Sequence, residues 1–540
     1  MRGRKRMVTG VAILLVLGLS LSAIAEDVYE EWVARYNGPA NSHDGAYDLA
    51  VDDSGNVYVT GGSTWAGYSS DFITIKYSAA GETLWTNRYG NGRGLAISVD
   101  YGGNLYATGV SSNDYLTIKY TPGGDTVWTR RYSSDPFGGN DEPKALGIDD
   151  SGYILVTGDG FGDGTGLDFT TLKYTPQGDT VWLRRYNHQE NSSDNVTALD
   201  VDRDGNVYVT GWTHGFGSIV DYATIKYSAD GESLWAHTYS RSLDSWDIAM
   251  AITVDDSGNT YVTGRSYSDS ATGWVWLTIK YATDGVIQWV RTHEGTGSSE
   301  TEVHAIGLDG NGNIYVIGSS GGIGTWADIT TIKYQPDGNV EWVRSYNGSN
   351  NANDFGWALF IDDSGNVYVS GYSRVSSFDD DYVTIKYSSN GDTRWIRRYG
   401  GQGKRGDWPH AISGDKMGNV YVTGSSFNNY STIDDIATIK YSPCTSSSPK
   451  AGDANSDDSL SLADIVSMVN HIFGKNVYLP CDANLYDCWV FDRFCRYDWN
   501  GDQKITLGDC IRAINHIFNK PGGPWSPVPS LGCCPFPQNQ

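Results

Sequence analysis

One four-residue word, Thr-(Ile/Leu)-Lys-Tyr, occurs eight times and limits what this 540-residue chain can fold into more than any other feature. The copies begin at Thr74, Thr117, Thr171, Thr224, Thr278, Thr331, Thr384 and Thr438. Successive copies are 53 or 54 residues apart, except for the first two, which are 43 apart. A fixed period of this length is typical of an array of identical supersecondary units. Most of the chain before residue 442 is therefore predicted to be a repeat architecture.

Each unit has the composition of four short strands. A segment resembling Val-Tyr-Val-Thr-Gly precedes each copy and alternates apolar residues with Thr, as half-buried strands do. A segment ending in Asp comes before this pair, and turns of the Asp-Asp-Ser-Gly-Asn and Ala-Ala-Gly-Glu types join the strands. A fourth strand carries a tryptophan: Trp85, Trp128, Trp182, Trp235, Trp289, Trp342 or Trp395. Four antiparallel strands per unit predict the blade of a β-propeller.

The tryptophan strands also predict how the ring closes. The last unit has no such strand after Tyr441, whereas Trp32-Val-Ala-Arg-Tyr36 stands alone before the first unit. This orphan strand would complete the last blade and remove the exposed sheet edges of an open array. We therefore predict an all-β, eight-bladed β-propeller over residues 28–442, closed by its N-terminal strand. These repeated segments resemble those of the bacterial β-propeller repeat family, and this resemblance implies the same fold but no single activity.

The strand order sorts the connections onto two faces. The repeated tight turns share one face, and the loops of variable length share the other, which is where binding usually resides on a rigid scaffold. The aromatic residues assigned to the variable loops are Trp65, Tyr68, Trp212, Phe216, Trp246, Trp274, Trp276, Trp326, Phe355, Trp357, Phe378, Trp408 and Tyr430. Trp246, Trp357 and Trp408 are the candidate contacts for a glycan or protein ligand.

Two sets of aspartates recur from unit to unit. One set is Asp44, Asp141, Asp194, Asp247, Asp354 and Asp407, and the other is Asp71, Asp114, Asp168, Asp221, Asp328, Asp381 and Asp435. They could form carboxylate rings that attract a cation or sugar hydroxyls near the channel mouth. The alternative is that each carboxylate accepts backbone N–H groups of its own loop, as Asp does in turns. The second interpretation is favoured, because a feature repeated in each unit usually builds the unit.

The first 25 residues have the pattern of a secretory signal, with a basic start, an apolar run and the small-residue site Ala23-Ile-Ala25. A retained membrane anchor is the less favoured alternative, because the run is short for a bilayer span. Removing four basic and no acidic residues would change the net charge from −25 to −29. Such acidity argues against nucleic-acid binding. We expect a secreted, extracellular or cell-surface protein with no membrane insertion after signal removal.

Beyond a polar linker at residues 443–450, two stretches have oxygen-bearing groups at calcium-loop spacing. The first comprises Asp453, Asn455, Asp457, Ser459, Ser461 and Asp464. The second comprises Asp498, Asn500, Asp502, Lys504 through its backbone carbonyl, Thr506 and Asp509. Calcium takes about six to eight oxygen ligands, and this spacing wraps a loop around one ion before a helix begins. A helical apolar stripe follows each loop, so two calcium ions are predicted.

This duplicated loop–helix pattern over residues 451–520 resembles a type I dockerin, a small α-helical, EF-hand-like domain. The resemblance implies calcium-dependent folding and a cohesin-like protein partner, often in assemblies that degrade polysaccharides. Asp458 and Gln503 depart from the usual glycine at loop position 6, and residues 475–497 form a cysteine-bearing insert. A Pro- and Gly-rich tail follows at 521–540. The alternatives are two acidic turns without metal, or a calcium-stabilised cap without a partner.

Catalytic signatures are scarce. Neither His-Glu-x-x-His nor Gly-x-Ser-x-Gly occurs, and His214, His304 and His410 on the variable face are expected to be surface or packing residues. A pair of carboxylates for glycoside hydrolysis is possible, but nothing in the sequence singles one out. The leading hypothesis is a secreted, non-catalytic binding or scaffold protein. The alternative is a propeller enzyme, a hydrolase or lyase, that the dockerin brings to a polysaccharide.

Overall fold

The computed structural model describes residues 28–443, apart from several short segments. These are residues 65–69, 135–138, 163, 189–191, 215–219, 243, 268–272, 296–300, 323, 377–378, 402, 404 and 429–433. The predicted signal sequence, the linker and all twelve predicted calcium ligands lie outside the described residues. Within them, no helix is both long enough and apolar enough to cross a membrane.

The described residues form eight four-stranded antiparallel sheets, and the first strand of the chain belongs to the last sheet. That strand is β1 (Val28–Tyr36). Blade 1 contains β2 (Asp44–Val51), β3 (Val57–Thr64), β4 (Ser70–Tyr77) and β5 (Thr83–Tyr89). Blade 2 contains β6 (Gly92–Val99), β7 (Leu105–Ser111), β8 (Asp114–Tyr120) and β9 (Thr126–Tyr132). Blade 3 contains β10 (Glu142–Ile148), β11 (Ile154–Gly162), β12 (Gly166–Tyr174) and β13 (Thr180–Tyr186). Blade 4 contains β14 (Asn195–Val201), β15 (Val207–His214), β16 (Val220–Tyr227) and β17 (Ser233–Tyr239).

The second half of the ring repeats this order. Blade 5 contains β18 (Trp246–Val254), β19 (Thr260–Tyr267), β20 (Trp274–Tyr281) and β21 (Ile287–His293). Blade 6 contains β22 (Glu302–Leu308), β23 (Ile314–Gly321), β24 (Ala327–Tyr334) and β25 (Val340–Tyr346). A single 3₁₀ turn, Ser349–Asn351, precedes blade 7, which contains β26 (Asp354–Ile361), β27 (Val367–Ser376), β28 (Asp379–Tyr387) and β29 (Thr393–Tyr399). Blade 8 contains β30 (Asp407–Gly414), β31 (Val420–Phe427) and β32 (Asp434–Pro443), and β1 is its outer strand.

The predicted eight-bladed propeller and its closure are confirmed. β1 pairs antiparallel with β32, so that Val28 lies opposite Pro443 and Tyr36 lies opposite Ile436. The two ends of the described chain therefore share one sheet. This arrangement gives blade 8 the outer strand that its own part of the sequence lacks.

The hydrophobic core lies between neighbouring blades. In the Val-Tyr-Val strands the apolar side chains of both faces are buried, as Val57, Tyr58 and Val59 of β3 show. Tyr58 packs with Ile97 and Leu105 of blade 2, whereas Val57 and Val59 pack on the side of blade 8. Each middle strand is thus covered on both sides, which is why these segments alternate less strictly in hydrophobicity than half-exposed strands do.

Lysine and tryptophan of the repeated segments join neighbouring blades at seven of the eight seams. In blade 3, Lys173 Nζ and Trp182 Nε1 both donate to the Ala229 carbonyl oxygen in the last turn of blade 4, at 3.2 and 3.0 Å. The shared acceptors at the equivalent seams are Ala79, Pro122, Pro176, Thr283, Pro336 and Ser389. At the closing seam the donors are Lys440 of β32 and Trp32 of β1. A single carbonyl at each of these seven seams binds both residues, which explains why the sequence repeats them together.

Candidate ligand-binding face

Two faces of the ring differ in how their polar groups are used. We call the face that carries the connections between first and second strands and between third and fourth strands the turn face. The opposite face, which carries the connections between second and third strands and between blades, is the loop face. On the turn face, Asp52 accepts N–H groups of Ser54 and Asn56, the Asn56 side-chain amide and the Tyr58 hydroxyl. The equivalent tyrosine and asparagine bind Asp in six further blades. The turn face therefore satisfies its own polar groups.

The first aspartate set lies at the loop-face ends of the inner strands, and all six carboxylates are buried. Each accepts a backbone N–H from the loop just before it, as Asp407 does from Gly401 at 2.7 Å. Asp407 also accepts the Phe427 N–H at 2.9 Å, and burial raises its pKa to about 7. The corresponding donors for the other five are Gly38, Ser134, His188, Arg241 and Gly348. These aspartates brace loops, as the favoured interpretation had it, and none is exposed as a ligand ring.

The second aspartate set begins the third strands, where four members pair with an arginine of the outer strand. Asp71 binds Arg88 at 3.0 Å, and Asp168 binds Arg185 at 2.9 Å. Asp114 lies 3.7 Å from Arg131, and Asp435 lies 3.4 Å from Arg35 of β1. This set therefore ties strands together within a blade.

A β-bulge occurs at the same place in all eight inner strands and creates a ring of extra residues. In blade 1, Ala46 and Asp48 pair with consecutive residues of β3, so Tyr47 between them has no partner. The eight bulged residues are Tyr47, Leu95, Lys144, Thr197, Met250, His304, Trp357 and His410. Bulges re-aim side chains and are common next to functional sites. The eight bulged residues differ in chemistry, although the backbone around them is the same in each blade.

Four bulged residues form a continuous arc of rings over blades 6, 7, 8 and 1. His304 stacks on Trp357 with ring centres 4.4 Å apart, and Trp357 meets His410 edge-on at 5.7 Å. His410 continues to Tyr47 at 5.6 Å. Burial lowers the pKa of His410 to about 4, so this imidazole is neutral at ordinary pH. We call these four residues the aromatic arc.

The three predicted tryptophans lie in inner strands and not in the variable loops to which the sequence assigned them: Trp246 and Trp408 near the loop-face ends, and Trp357 in the middle of β26. Trp246 begins β18 and is 50% exposed, whereas Trp408 follows Asp407 in β30 and is 39% exposed. Trp357 is half-buried, because it is the centre of the aromatic arc. The three belong to blades 5, 7 and 8 and do not touch one another in any described ring contact. They are separate contact points of one face and not a single pocket.

One predicted loop aromatic is a core residue instead. Trp276 lies inside β20 and is 1% exposed, packed with Trp289 and Val303 between blades 5 and 6. Its neighbour Trp274 begins the same strand and receives the Arg265 guanidinium over its ring at 4.7 Å. The prediction was wrong because the third strand of blade 5 begins four residues before its Thr-Ile-Lys-Tyr word. Trp65, Tyr68, Phe216, Phe378 and Tyr430 lie outside the described residues.

Four charged residues form a network between blades 2 and 3, which the sequence did not single out. Glu142 lies 3.1 Å from Arg93 and 3.2 Å from Lys144. Lys144 also lies 3.6 Å from Asp159, which accepts the Val196 N–H at 2.8 Å. Burial raises the pKa of Asp159 to about 6, with Lys144 opposing this shift. Burial would likewise raise the pKa of Glu142, but Lys144 and Arg93 together lower it.

No cluster of three or more His, Cys, Asp or Glu side chains suited to a metal ion occurs in the part of the chain that the structure describes. The predicted calcium ligands, from Asp453 to Asp509, lie beyond that part. The calcium assignment therefore stays a prediction from the sequence.

Two segments, residues 181–217 and 288–324, match the family described as "Beta-propeller repeat". Each segment runs from the outer strand of one blade through the first two strands of the next. No curated protein matches the chain. The family matches support a β-propeller repeat protein, in agreement with the eight sheets.

Solved propellers resemble the chain at low sequence identity. The propeller of Dos1 covers 77% of this chain and 95% of its own, with 9% identity and a TM-score of 0.49. The C-terminal WD40 domain of Sif2 covers 77% and 99%, with 10% identity and a TM-score of 0.47. The polysaccharide lyase Uly1 covers 65% and 88%, with 11% identity and a TM-score of 0.40. We take no argument about function from likenesses at this level.

Proposed function

We propose that this chain is an exported binding protein whose loop face holds a glycan or protein ligand and whose C-terminal loops bind calcium and a cohesin-like partner. The observation that carries the first part is the contrast between the two faces. The turn face repeats one hydrogen-bonded turn and closes its polar groups on themselves. By contrast, the inner strands vary their bulged residues, of which Tyr47 is exposed, and they expose Trp246 and Trp408 near their loop-face ends.

A glycan is the favoured ligand because of the kind of side chain that is exposed. Tyr and Trp present a flat apolar body together with one polar atom, which suits ligands that have both apolar and hydroxyl-bearing surfaces. The rings at the loop face are also held in place, since Trp357 is fixed between His304 and His410. Preorganised contacts lose less conformational entropy on binding.

Single substitutions of the exposed tryptophans test the loop-face part. We expect Trp246→Ala or Trp408→Ala to weaken retention in affinity electrophoresis through a panel of plant and microbial polysaccharides at least fivefold. Tyr101→Ala is the matched control, because Tyr101 is 97% exposed on the turn face and should not affect retention. Trp357→Ala should weaken retention as well, and circular dichroism shows whether the variant is folded.

Equal retention of Trp246→Ala, Trp408→Ala and Tyr101→Ala would contradict the loop-face assignment. A second panel of immobilised extracellular proteins distinguishes the ligand class. If a protein ligand is bound and lost with the same variants, the face is correct and the glycan preference is wrong.

The calcium and cohesin part rests on the spacing of residues 453–464 and 498–509. We expect the full chain to bind two calcium ions by isothermal titration calorimetry, and Asp453→Ala with Asp498→Ala to abolish both. Capture by immobilised cohesins should require calcium and should be lost in the same double variant. If the chain binds two calcium ions but no cohesin captures it, the C-terminal region is a calcium-stabilised cap and the proposal of a cohesin-like partner is wrong.

A second candidate function is polysaccharide cleavage, and the charge network favours it. Glu142 and Asp159 share Lys144 yet have pKa values shifted in opposite directions, which is the arrangement of an acid and base pair. Binding is preferred because Asp159 has a structural partner. Asp159 accepts the Val196 N–H of the next blade. The equivalent residue of blade 6, Ser319, accepts the Gly356 N–H of blade 7 in the same way, at 3.1 Å.

Product release decides between the two functions. Incubation with the same polysaccharides should release no reducing sugar and no unsaturated product if the chain only binds. Release that is abolished by Glu142→Gln or Asp159→Asn, and not by Arg203→Gln on the turn face, would establish the enzyme instead.

A further inference from the structure

Blade 2 has the shortest connection from the preceding blade, and the connection between its second and third strands is equally short. Only Gly90 and Asn91 separate β5 from β6, and only Ser112 and Asn113 separate β7 from β8. The next connection between blades spans residues 133–141, and the corresponding loops of blades 1 and 4 span residues 65–69 and 215–219. The 43-residue first spacing of the repeated word thus corresponds to missing loop residues.

The backbone makes these short connections with residues in the left-handed region. Asn91, Ser112 and Asn113 have φ angles of 55°, 54° and 67°. Asparagine tolerates this conformation better than most residues, and two consecutive positive φ angles are typical of the tightest hairpin turns. Blade 2 therefore crosses the loop face in two tight connections of two residues each.

The shortened loops leave a cleft between blades 1 and 3. Its volume is about 370 Å³, and it is lined by polar side chains that include Asn91, Arg93, Ser112, Asn113, Asn140 and Glu142. This volume lies near the lower end of the range for small-ligand pockets, about 300–1,000 Å³. A short oligosaccharide or a single sugar residue is the size of ligand that it fits.

The amides in this cleft differ from those of the turn face. The side-chain amides of Asn91, Asn113 and Asn140 have no hydrogen-bond partner among the described residues. On the turn face, by contrast, Asn56 and its six counterparts donate to an aspartate of the same turn. An amide carries two donor hydrogens and one acceptor oxygen, so three open amides offer both kinds of group to a ligand.

The charged residues that line the cleft are Arg93, Asp141 and Glu142. The Arg93 side chain is 46% exposed and is paired with Glu142, which Lys144 also contacts. Lys144 in turn lies beside Asp159. The Asp141 carboxylate is buried and accepts the Ser134 and Phe161 N–H groups. The lining therefore has no excess of positive charge to attract an anion, and the chain as a whole carries −25, which repels polyanions. A neutral ligand rich in hydroxyl groups matches this set of donors and acceptors.

We infer that the cleft above blade 2 binds a short segment of a neutral glycan. The hydroxyl groups of the glycan donate hydrogen bonds to the amide oxygens and to Glu142. They accept hydrogen bonds from the amide N–H groups and from the Arg93 guanidinium. This site deepens the proposed function, since it gives the glycan ligand of the loop face a specific location and charge class. Its lining residues belong to blades 1–3, whereas Trp246 and Trp408 belong to blades 5 and 8, so the two sets of residues can be varied independently.

Binding of neutral tetrasaccharides to the full chain tests this inference. The probes are cello-, xylo-, manno- and maltotetraose, with galacturonate tetraose as the acidic comparison, and affinity is measured by isothermal titration calorimetry. The cleft variant combines Asn91→Gly, Asn113→Gly and Arg93→Gln, because glycine keeps the positive φ angles. Arg203→Gln is the matched control, since Arg203 pairs with Asp256 at 2.9 Å on the turn face and both side chains are exposed.

We expect at least one neutral tetrasaccharide to bind, and the cleft variant to weaken that binding at least tenfold while the control does not. Equal melting temperatures of both variants would exclude misfolding, and Asn113→Gly alone should still weaken binding if the triple variant is unstable. Loss of binding in Trp246→Ala and Trp408→Ala, but not in the cleft variant, would overturn the cleft and leave the proposed function standing. Tighter binding of galacturonate tetraose would overturn the neutral assignment. If no tetrasaccharide binds, the assignment of the cleft as a glycan site is wrong. If polysaccharides also fail to bind, the proposed glycan-binding function is wrong as well.

Discussion

Gly231 lies in the last turn of blade 4, where the Trp182 ring of blade 3 packs directly against its backbone. A Cβ atom at this position would be 2.8 Å from the indole, and φ is +83°. A left-handed non-glycine residue costs about 1 kcal/mol, and overpacking adds about 1–3 kcal/mol. We therefore expect Gly231→Ala to lower the free energy of unfolding by about 2–4 kcal/mol, measured by chemical denaturation.

Gly324 provides the control for that measurement. Its φ is +76°, but no atom lies within 4 Å of the position that a Cβ would take. Gly324→Ala should therefore cost only the backbone component of about 1 kcal/mol. Equal costs at the two glycines would show that contact with the tryptophan ring contributes nothing.

Asp48 gives the propeller a local pH dependence. It stands in β2 where the other seven inner strands have alanine: Ala96, Ala145, Ala198, Ala251, Ala305, Ala358 and Ala411. Its carboxylate accepts the Leu49 and Ile97 N–H groups, but burial has the larger effect and raises its pKa to about 7. Between about pH 4 and pH 7, the folded protein keeps a proton that the unfolded chain has lost. The stability contributed by this group therefore falls as pH rises through that window.

Asp48→Ala should raise the melting temperature at pH 8 and narrow the difference in melting temperature between pH 5 and pH 8. Differential scanning fluorimetry at the two pH values measures both effects. Asp53→Ala is the control, because Asp53 is exposed on the turn face. A lower melting temperature at pH 8 in Asp48→Ala would show that the two accepted N–H groups outweigh the cost of burying the carboxylate.

Among the elements, β1 is the strand that closes the ring, because it is the outer strand of blade 8. It supplies Trp32, which donates to the Ala79 carbonyl of blade 1 at 3.0 Å, and it covers the edge of β32. Replacing a packed tryptophan by alanine costs about 3–5 kcal/mol. We expect Trp32→Ala to destabilise the whole propeller by about this amount, measured by thermal and chemical unfolding.

Trp182→Ala is the comparison for that variant, because Trp182 makes the same seam contact within an uninterrupted part of the chain. Similar losses would mean that the closing seam is as strong as the others. If Trp32→Ala left stability unchanged, β1 would not be needed to close the ring.

The sequence predicted the strands and their pairing because each blade repeats the same alternation, turn residues and tryptophan. It did not reveal the eight bulges, because a bulge depends on the register between two strands and not on the residues of one. The misplaced Trp276 has a related cause, since only the end of its strand carries a repeated word. The charge network of Glu142 joins residues from three strands, and pairwise contacts of that kind leave no local pattern.

On the scale of the whole molecule, calcium should affect only part of the chain. The described propeller holds no cluster of ligands suited to a metal, whereas residues 453–464 and 498–509 have calcium-loop spacing. We expect two calorimetric transitions for the full chain, of which only the one belonging to the C-terminal region shifts down when EDTA is added.

The double variant Asp453→Ala and Asp498→Ala should reproduce the effect of EDTA in the presence of calcium. A downward shift of the propeller transition with EDTA would instead indicate a calcium site within the ring. Tryptophan fluorescence, which is dominated by the blades, follows that transition separately.

The pairing of Val28 with Pro443 fixes where the rest of the polypeptide joins the ring. β1 begins, and β32 ends, on the turn face, so both neighbouring segments leave the propeller from one point on that side. Both junctions therefore lie on the face opposite the exposed Trp246 and Trp408. The proposed ligand surface is thus free of the points at which the polypeptide enters and leaves the ring.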